Sequence, residues 1–111
     1  METPVVDPPE VPAGKREELH DILLGVLGNV YFQPPESLKL TYPCIVYKRD
    51  KMTAIYANDK KYANTTRYQV TVIDPNPDSQ SVQTVFALPL CSHLRYFVHD
   101  GLNHDIFELY F

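Results

Sequence analysis

The sequence contains few of the residues on which several classes of protein depend. Its 111 residues include two cysteines and four glycines, and fourteen aspartates and glutamates outnumber ten lysines and arginines, for a formal net charge of −4. Two cysteines form at most one disulfide, and they do not make up a C-x-x-C pair. Four glycines are few for loops that cradle phosphates. An acidic charge balance argues against a nucleic-acid-binding protein.

Long hydrophobic runs are also missing. No apolar stretch approaches the roughly 18 residues that a membrane-spanning helix needs, and the N-terminus lacks the charged-then-apolar pattern of a signal peptide. The chain is nevertheless 44% hydrophobic, and a domain of this size buries roughly two thirds of its unfolded surface. We therefore expect one small, soluble, acidic domain, in which Cys44 and Cys91 are buried as small apolar side chains.

The first fourteen residues differ in composition from the rest. They contain four of the ten prolines and three acidic residues. Proline lacks the N–H group that helices and central strands need. We therefore predict an extended Pro-rich arm over residues 1–14 and a single domain over residues 15–111.

Two segments have the apolar spacing of amphipathic helices. The first is predicted over residues 15–27, with acidic residues in its first turns and Gly28 placed to end it in the left-handed conformation. The second is predicted over residues 76–88. Asn76 is suited to cap its start, and Pro89 prevents it from continuing.

Five other stretches are rich in the β-branched and aromatic residues that favour strands. They are residues 29–32, 42–48, 66–74, 92–99 and 103–111. Apolar and polar residues alternate in the third, which is typical of a strand with one buried face. Asp100-Gly101 predicts a tight turn between the last two. The order helix, strands, helix, two-stranded hairpin predicts an α+β fold with a largely antiparallel sheet.

The sequence offers little for catalysis. No motif of a nucleotide-binding, serine-hydrolase or zinc-protease site is present. The one cluster of candidate ligands is His93, His99, His104 and Asp105. With a four-residue loop, His99 and His104 would face each other across the hairpin, but a metal needs three or four converging ligands. The alternative is a solvated hairpin tip with polar surface residues, and we expect no catalytic activity, no cofactor and no bound metal.

Eight tyrosines are spread over several of the predicted strands. Aromatic residues in strands mostly form core and cross-strand pairs, although exposed tyrosines also favour protein interfaces. A stacking platform for single-stranded nucleic acid needs a basic groove beside the aromatic rings. The basic residues of 48–61 form only a small patch, so we expect no sequence-specific binding of nucleic acid.

Several sequence stretches are similar to those of one group of proteins. They are VYFQPP (30–35), YPCIVY (42–47), RYQVTVID (67–74), NPDS (76–79) and DGLNHDIF (100–107). Together with the leading helix, these stretches resemble the small neck and tail proteins of long-tailed bacteriophages. The nearest functional class is the tail terminator, also called the tail completion or tail-to-head joining protein. The resemblance covers about residues 15–111 and leaves out the Pro-rich arm.

The resemblance implies an α+β domain that assembles as a hexameric ring on the end of the tail tube. Such a ring stops polymerisation of the tube protein and docks to the head connector or stopper protein, while the DNA passes through its lumen. The protein would then be made in the cytoplasm of the host bacterium and reside in the neck of the virion, with no membrane contact. The family has no catalytic motif to transfer to this chain.

The sequence is also compatible with other functions. Within the same class, the protein is alternatively a head-side connector or stopper (head completion) protein of the neck. From other classes, it is a small enzyme or metal-binding protein that uses the histidine cluster, or a cytosolic adaptor unrelated to phage.

The long polar segment over residues 49–64 and the arm are the predicted contacts between subunits. Residues 52–56 of the segment are suited to an edge strand, with residues 57–60 as its turn. Loops longer than about 12 residues are usually functional or disordered, and proline lowers the entropy lost on docking. We expect the segment, or a hairpin within it, to touch a neighbour; the alternative is a solvated hairpin. The candidate contact residues are Lys48, Arg49, Lys51, Met52, Ile55, Tyr56, Pro8 and Pro9.

Overall fold

The computed structural model describes residues 15–57 and 60–111 of the chain. Two helices and five strands follow one another as α1 (Arg16–Val26), β1 (Val30–Phe32), β2 (Cys44–Ala57), β3 (Lys60–Asp74), α2 (Gln80–Phe86), β4 (Cys91–His99) and β5 (Leu102–Tyr110). The α+β class predicted from the sequence is confirmed. Neither helix in the described ranges has the length and apolar character required to cross a bilayer.

The strands form one five-stranded sheet in the order β1-β2-β3-β5-β4. The sheet is largely antiparallel, as predicted, but β1 runs parallel to β2, which the sequence analysis did not predict. The two strands point the same way because residues 33–43 carry the chain back along the sheet before β2 begins. Ile45 N–H donates to the Asn29 carbonyl at 2.8 Å and Gln33 N–H donates to the Tyr47 carbonyl at 2.9 Å, which fixes both ends of the pair.

Both helices pack on the same face of the sheet. Leu19 and Leu23 lie one turn apart on α1 and are fully buried, as is Val85 of α2. The sheet contributes alternate residues of its central strands, because alternate side chains of a strand point to one face. These are Ile45, Tyr47, Tyr68, Val70, Val72, Phe107 and Leu109. The helical stripe of α1 and the alternation in β3 predicted from the sequence are therefore confirmed.

The other face of the sheet carries no helix within the described ranges. Its central residues are half-buried and mixed in character, with Val46 and Ile106 beside Gln69 and Thr71. They border a shallow groove of ≈ 450 Å³ that Lys48 also lines. The described part of the chain is thus a two-layer structure in which helices cover one sheet face.

α1 begins and ends within one residue of its predicted bounds. The predicted conformation after its end is wrong, since Gly28 is not in the left-handed region. Leu27 instead leaves the helix with an extended backbone, at φ −152°, while its N–H still donates to the Leu23 carbonyl at 3.0 Å. Because Leu27 is extended, the chain continues directly towards β1 and needs no left-handed glycine at position 28.

α2 begins at Gln80, and the predicted start at Asn76 is wrong. Asp74 Oδ1 accepts a hydrogen bond from Asn76 N–H at 2.8 Å, and Asn76 Oδ1 accepts one from Asp78 N–H at 3.0 Å. Asp and Asn favour such bonds to the backbone two residues on, and these turns compete with helix initiation. The helix ends before Pro89, as predicted.

A two-residue turn joins β4 and β5, as Asp100-Gly101 predicted. Asp100 has φ 56° and Gly101 has φ 74°, and positive φ at both positions is typical of the type I′ turn that matches the twist of paired strands. β5 then lies between β3 and β4. The predicted attachment of the final strand to the sheet is confirmed, and Phe111 N–H donates to the Thr66 carbonyl at 3.1 Å.

Both cysteines are free. Cys44 is fully buried, and burial raises the pKa of its thiol to about 11. Cys91 is half-buried, and burial raises the pKa of its thiol as well. The prediction of small buried side chains is confirmed for Cys44 and in part for Cys91.

Candidate assembly interface

A two-stranded ribbon projects from the sheet. β2 and β3 pair from Lys51–Arg67 out to Ala57–Lys60, whereas β1 pairs with β2 only as far as Tyr47. β5 pairs with β3 only from Arg67 inwards. We call residues 51–57 and 60–66 the ribbon. Within the described ranges its two strands have no third strand beside them, and only the Thr66 carbonyl at its base accepts a hydrogen bond from the end of the chain, from Phe111 N–H. The hairpin form of the prediction for residues 49–64 is confirmed, the loop form is wrong, and turn residues 58 and 59 lie outside the described residues.

A β-bulge marks the point at which the ribbon leaves the sheet. Asp50 is unpaired between the pairs Arg49–Tyr68 and Lys51–Arg67. Arg67 Nε donates to Asp50 Oδ2 at 2.7 Å. A bulge bends its strand and increases the local twist, so this ion pair lies at the point where the ribbon changes direction.

Half of the residues predicted to contact neighbours lie at the base of the ribbon. They are Lys48, Arg49, Lys51 and Met52, all exposed. Met52 is an apolar side chain with 57% of its surface exposed. Pro8, Pro9 and the side chains of Ile55 and Tyr56 lie outside the described residues. The structure therefore brings together three cations and one apolar side chain beside the bulge.

The exposed surface of α1 carries the opposite charge. Glu17, Glu18 and Asp21 are all exposed along its first two turns. The segment 48–61, by contrast, contains five of the ten basic residues of the chain. The base of the ribbon and α1 therefore carry opposite charges, and complementary charges are typical of surfaces that contact each other.

The outer edge of β4 is a second candidate surface, which sequence reasoning missed. β4 pairs only with β5 within the described ranges. Leu94, Tyr96 and Val98 are 49%, 48% and 57% exposed, and Leu94 lies in a register shift of the strand. An exposed apolar edge strand is a template for pairing with another chain. The alternation of large apolar residues in 94–98 indicates a buried face, and only the strand order reveals that β4 has no second neighbouring strand within the described residues.

The structure separates the histidines that the sequence analysis grouped together. His93 Nε2 lies 3.1 Å from Asp105 Oδ1. The predicted pairing of His99 with His104 is wrong, because the turn has two residues and His104 pairs with Phe97, on which its ring stacks at 4.6 Å. Within the part of the chain that the structure describes, no three metal-ligating side chains converge.

The contact between His93 and Asp105 is packed among aromatic rings. The ring edge of His93 meets Phe107 at a centroid distance of 5.2 Å and Phe86 at 6.5 Å. Beyond the bulge, Tyr96 Oη donates to Asn103 Oδ1 at 2.5 Å. These two polar contacts join β4 to β5 on both sides of the bulge. They give the buried carboxylate of Asp105 and the buried amide of Asn103 each a partner on β4.

No protein-family model matches the sequence, and no curated protein matches it at a significant level of similarity. The candidate interface is therefore defined by its own geometry. It consists of the ribbon with its basic base, the acidic surface of α1 and the apolar edge of β4.

Proposed function

We propose that this protein is a structural protein of the virion of a long-tailed bacteriophage, in which it forms a hexameric ring that terminates the tail tube and joins it to the head connector. The proposal rests on the resemblance of residues 15–111 to tail terminators. The structural observation that supports it best is the ribbon, which has no third strand within the described part of its own chain.

An isolated two-stranded ribbon is marginally stable in water. Beyond Thr66, no described strand pairs with the outer edges of the ribbon, and the backbone N–H and C=O groups of such edges are a template for pairing with another chain. The seven residues 51–57 of its first strand span about 20 Å, which lets the ribbon reach onto a neighbouring subunit. A subunit that works alone gains nothing from this element, whereas a subunit in a ring gains a contact.

A closed ring needs a heterologous interface, in which two different surfaces of the subunit meet. The chain offers suitable surfaces on different elements. The ribbon and its cations belong to β2 and β3, the acidic surface belongs to α1, and the apolar edge belongs to β4. In the proposed ring, the ribbon of each copy contacts the next copy, and Lys48, Arg49, Lys51 and Met52 lie at that contact.

The test is a cryo-electron microscopy reconstruction of the virion that contains this chain. We expect six copies in one ring at the head-proximal end of the tail tube. A ring on the head side of the joint would assign the protein as a connector or stopper instead. An isolated copy away from the particle axis, or no copy in the virion, would refute a ring function.

A shortened ribbon tests the role of this element directly. Thr53 and Thr65 pair with each other, so replacing residues 54–64 by Asn-Gly closes the hairpin with a two-residue turn. We expect this variant to fold and to fail to form joined particles. The matched control replaces Asp100-Gly101 by Asn-Gly, which keeps the other hairpin and should leave joining intact. Normal joining with the shortened ribbon would contradict the proposal.

A further inference from the structure

An apolar groove lies beside α1. It has a volume of ≈ 370 Å³ and lies between α1, the connection from α2 to β4, and the end of β5. Its apolar walls include Ile22, Leu88, Leu90, Tyr110 and Phe111. Three of these side chains are substantially exposed: Ile22 at 39%, Leu90 at 72% and Tyr110 at 36%.

Leu90 is held at the rim of this groove by an unusual backbone. Its φ is 57°, a conformation that a branched residue rarely adopts. Its carbonyl accepts a hydrogen bond from Tyr110 N–H at 3.2 Å. Strained residues that expose a large apolar side chain are typical of binding surfaces. The strain here places the most exposed large apolar side chain of the described chain on the wall of a groove.

The Pro-rich arm begins at this groove. Lys15, the first described residue, is one of the lining residues, and Gly14 precedes it with the freedom to reverse the chain direction. The groove follows α1 from Lys15 to Ile22, a distance of about 10 Å at 1.5 Å per residue. Four residues in a polyproline II conformation cover about the same distance. The segment Pro9-Glu10-Val11-Pro12 has this length. Its last residue lies two positions before Gly14 and three before Lys15, where the groove begins.

The chemistry of the arm fits the walls of the groove. Pro-x-x-P segments dock in grooves lined by aromatic side chains, because their extended conformation is already formed and little entropy is lost. Tyr110 and Phe111 supply the aromatic wall. A tethered segment also has an effective concentration in the millimolar range, which favours it over any free ligand.

We propose that the groove between α1, Leu90 and Phe111 binds residues 9–12 of the arm of the same chain. This assigns the arm a site on its own domain, where the sequence analysis expected a neighbour. The inference does not depend on the proposed ring, since it concerns the free subunit.

Cleavage by a glutamate-specific protease after Glu10 reports directly on the bound arm. In the wild-type subunit we expect slow cleavage, and in Ile22→Asp we expect cleavage about tenfold faster, because a carboxylate in the groove opposes binding of an apolar segment. The matched control is Leu24→Asp, since Leu24 lies two residues away with a similar exposure of 42% and does not line the groove. Leu24→Asp should cleave as slowly as wild type, and far-ultraviolet circular dichroism should show all three proteins folded.

A second variant and a titration keep the test independent of α1. Leu90→Asp should release the arm as Ile22→Asp does. Equal cleavage rates in wild type, Ile22→Asp, Leu90→Asp and Leu24→Asp would overturn the proposal. The cleavage rate should also stay constant over about a hundredfold range of protein concentration, because binding within one chain is intramolecular. Protection that grows with concentration would show exchange of arms between copies and would overturn the assignment to the same chain.

Discussion

The guanidinium of Arg67 and the carboxylate of Asp50 form an ion pair with a 2.7 Å Nε–Oδ2 distance at the base of the ribbon. Asp50 is the extra residue of the β2 bulge, and Arg67 is the first residue of β3 that pairs with β5. Arg67 Nη1 also lies 3.8 Å from Glu108 Oε1 on β5. One cation therefore contacts both the ribbon base and the sheet.

Removing this cation should loosen the ribbon more than the domain. Both side chains of the pair are partly exposed, so Arg67→Met should lower the free energy of unfolding only slightly. Amide hydrogen exchange at residues 52–54 should become faster, while exchange in α1 should not change. Lys39→Met, which removes an exposed cation from the connection before β2, is the control. Unchanged exchange in the ribbon would show that the pair does not hold it.

The buried stripe of α1 should dominate the stability of the domain. Leu23 is fully buried, whereas its neighbour Leu24 is 42% exposed. Leu23→Ala should lower the free energy of unfolding by about 2–5 kcal/mol, and Leu24→Ala should change it by no more than about 0.5 kcal/mol. Urea denaturation measures both. Equal effects of the two substitutions would contradict the packing of α1 described above.

Two glycines should respond in opposite directions to the same substitution. Gly101 has φ 74°, so Gly101→Ala should destabilise by about 1–2 kcal/mol because an L side chain is strained there. Gly25 lies inside α1, and an added Cβ would meet no atom within 4 Å. Gly25→Ala should therefore stabilise by about 0.5–1 kcal/mol. Thermal denaturation of both variants checks the signs, and a loss of stability in Gly25→Ala would contradict the helix assignment.

The buried thiol of Cys44 should make stability depend on alkaline pH. Its pKa is raised from 9.0 to about 11 in the folded protein, so above pH 9 the unfolded state loses the thiol proton more readily. The contribution is fully present below pH 9 and is lost as the pH rises through about 11. Urea midpoints from pH 8 to 11 should fall less steeply in Cys44→Ala than in Cys91→Ala. Equal slopes in these two variants would contradict the prediction.

Reversing the charge at the ribbon base should affect assembly and not folding. Lys48→Glu, Arg49→Glu and Lys51→Glu together should reduce the number of joined head–tail particles, because the base would repel the acidic surface of α1 on the next copy. The three side chains are exposed, so the melting temperature should change little. Lys51→Glu alone compares directly with Lys39→Glu, which makes the same change elsewhere. Normal yields of joined particles, counted by electron microscopy, would reject this contact.

Much of the fold follows from local pattern in the sequence. The stripe that includes Leu19 and Leu23 predicted α1, the alternation in residues 66–74 predicted β3, and Asp100-Gly101 predicted the turn. In each case a buried face or a positive φ imposes a residue pattern within a few positions. In the ribbon the sequence is polar and resembles a loop, and the edge strand over residues 52–56 was predicted only as one alternative.

Other features depend on relationships that no local pattern encodes. The direction of β1 is set by the course of residues 33–43, and the exposure of Leu94 is set by the position of β4 at the sheet edge. The pairing of His99 with His104 was predicted incorrectly because a turn of two residues instead of four changes which residues face each other. His104 consequently meets Phe97 and not His99.

The position of β5 has a consequence for the order of events during synthesis. β5 is the last strand in chain order, yet it lies between β3 and β4. A ribosome therefore produces β3 and β4 before β5, the strand that lies between them. The edge of β3 that pairs with β5 stays open until residues 102–110 emerge. Pairs such as Arg67–Tyr110 are distant in sequence, and such contacts form late in folding. No copy can present a finished β4 edge before its chain has been made through β5, so the sheet is completed only after residues 102–110 have been synthesised.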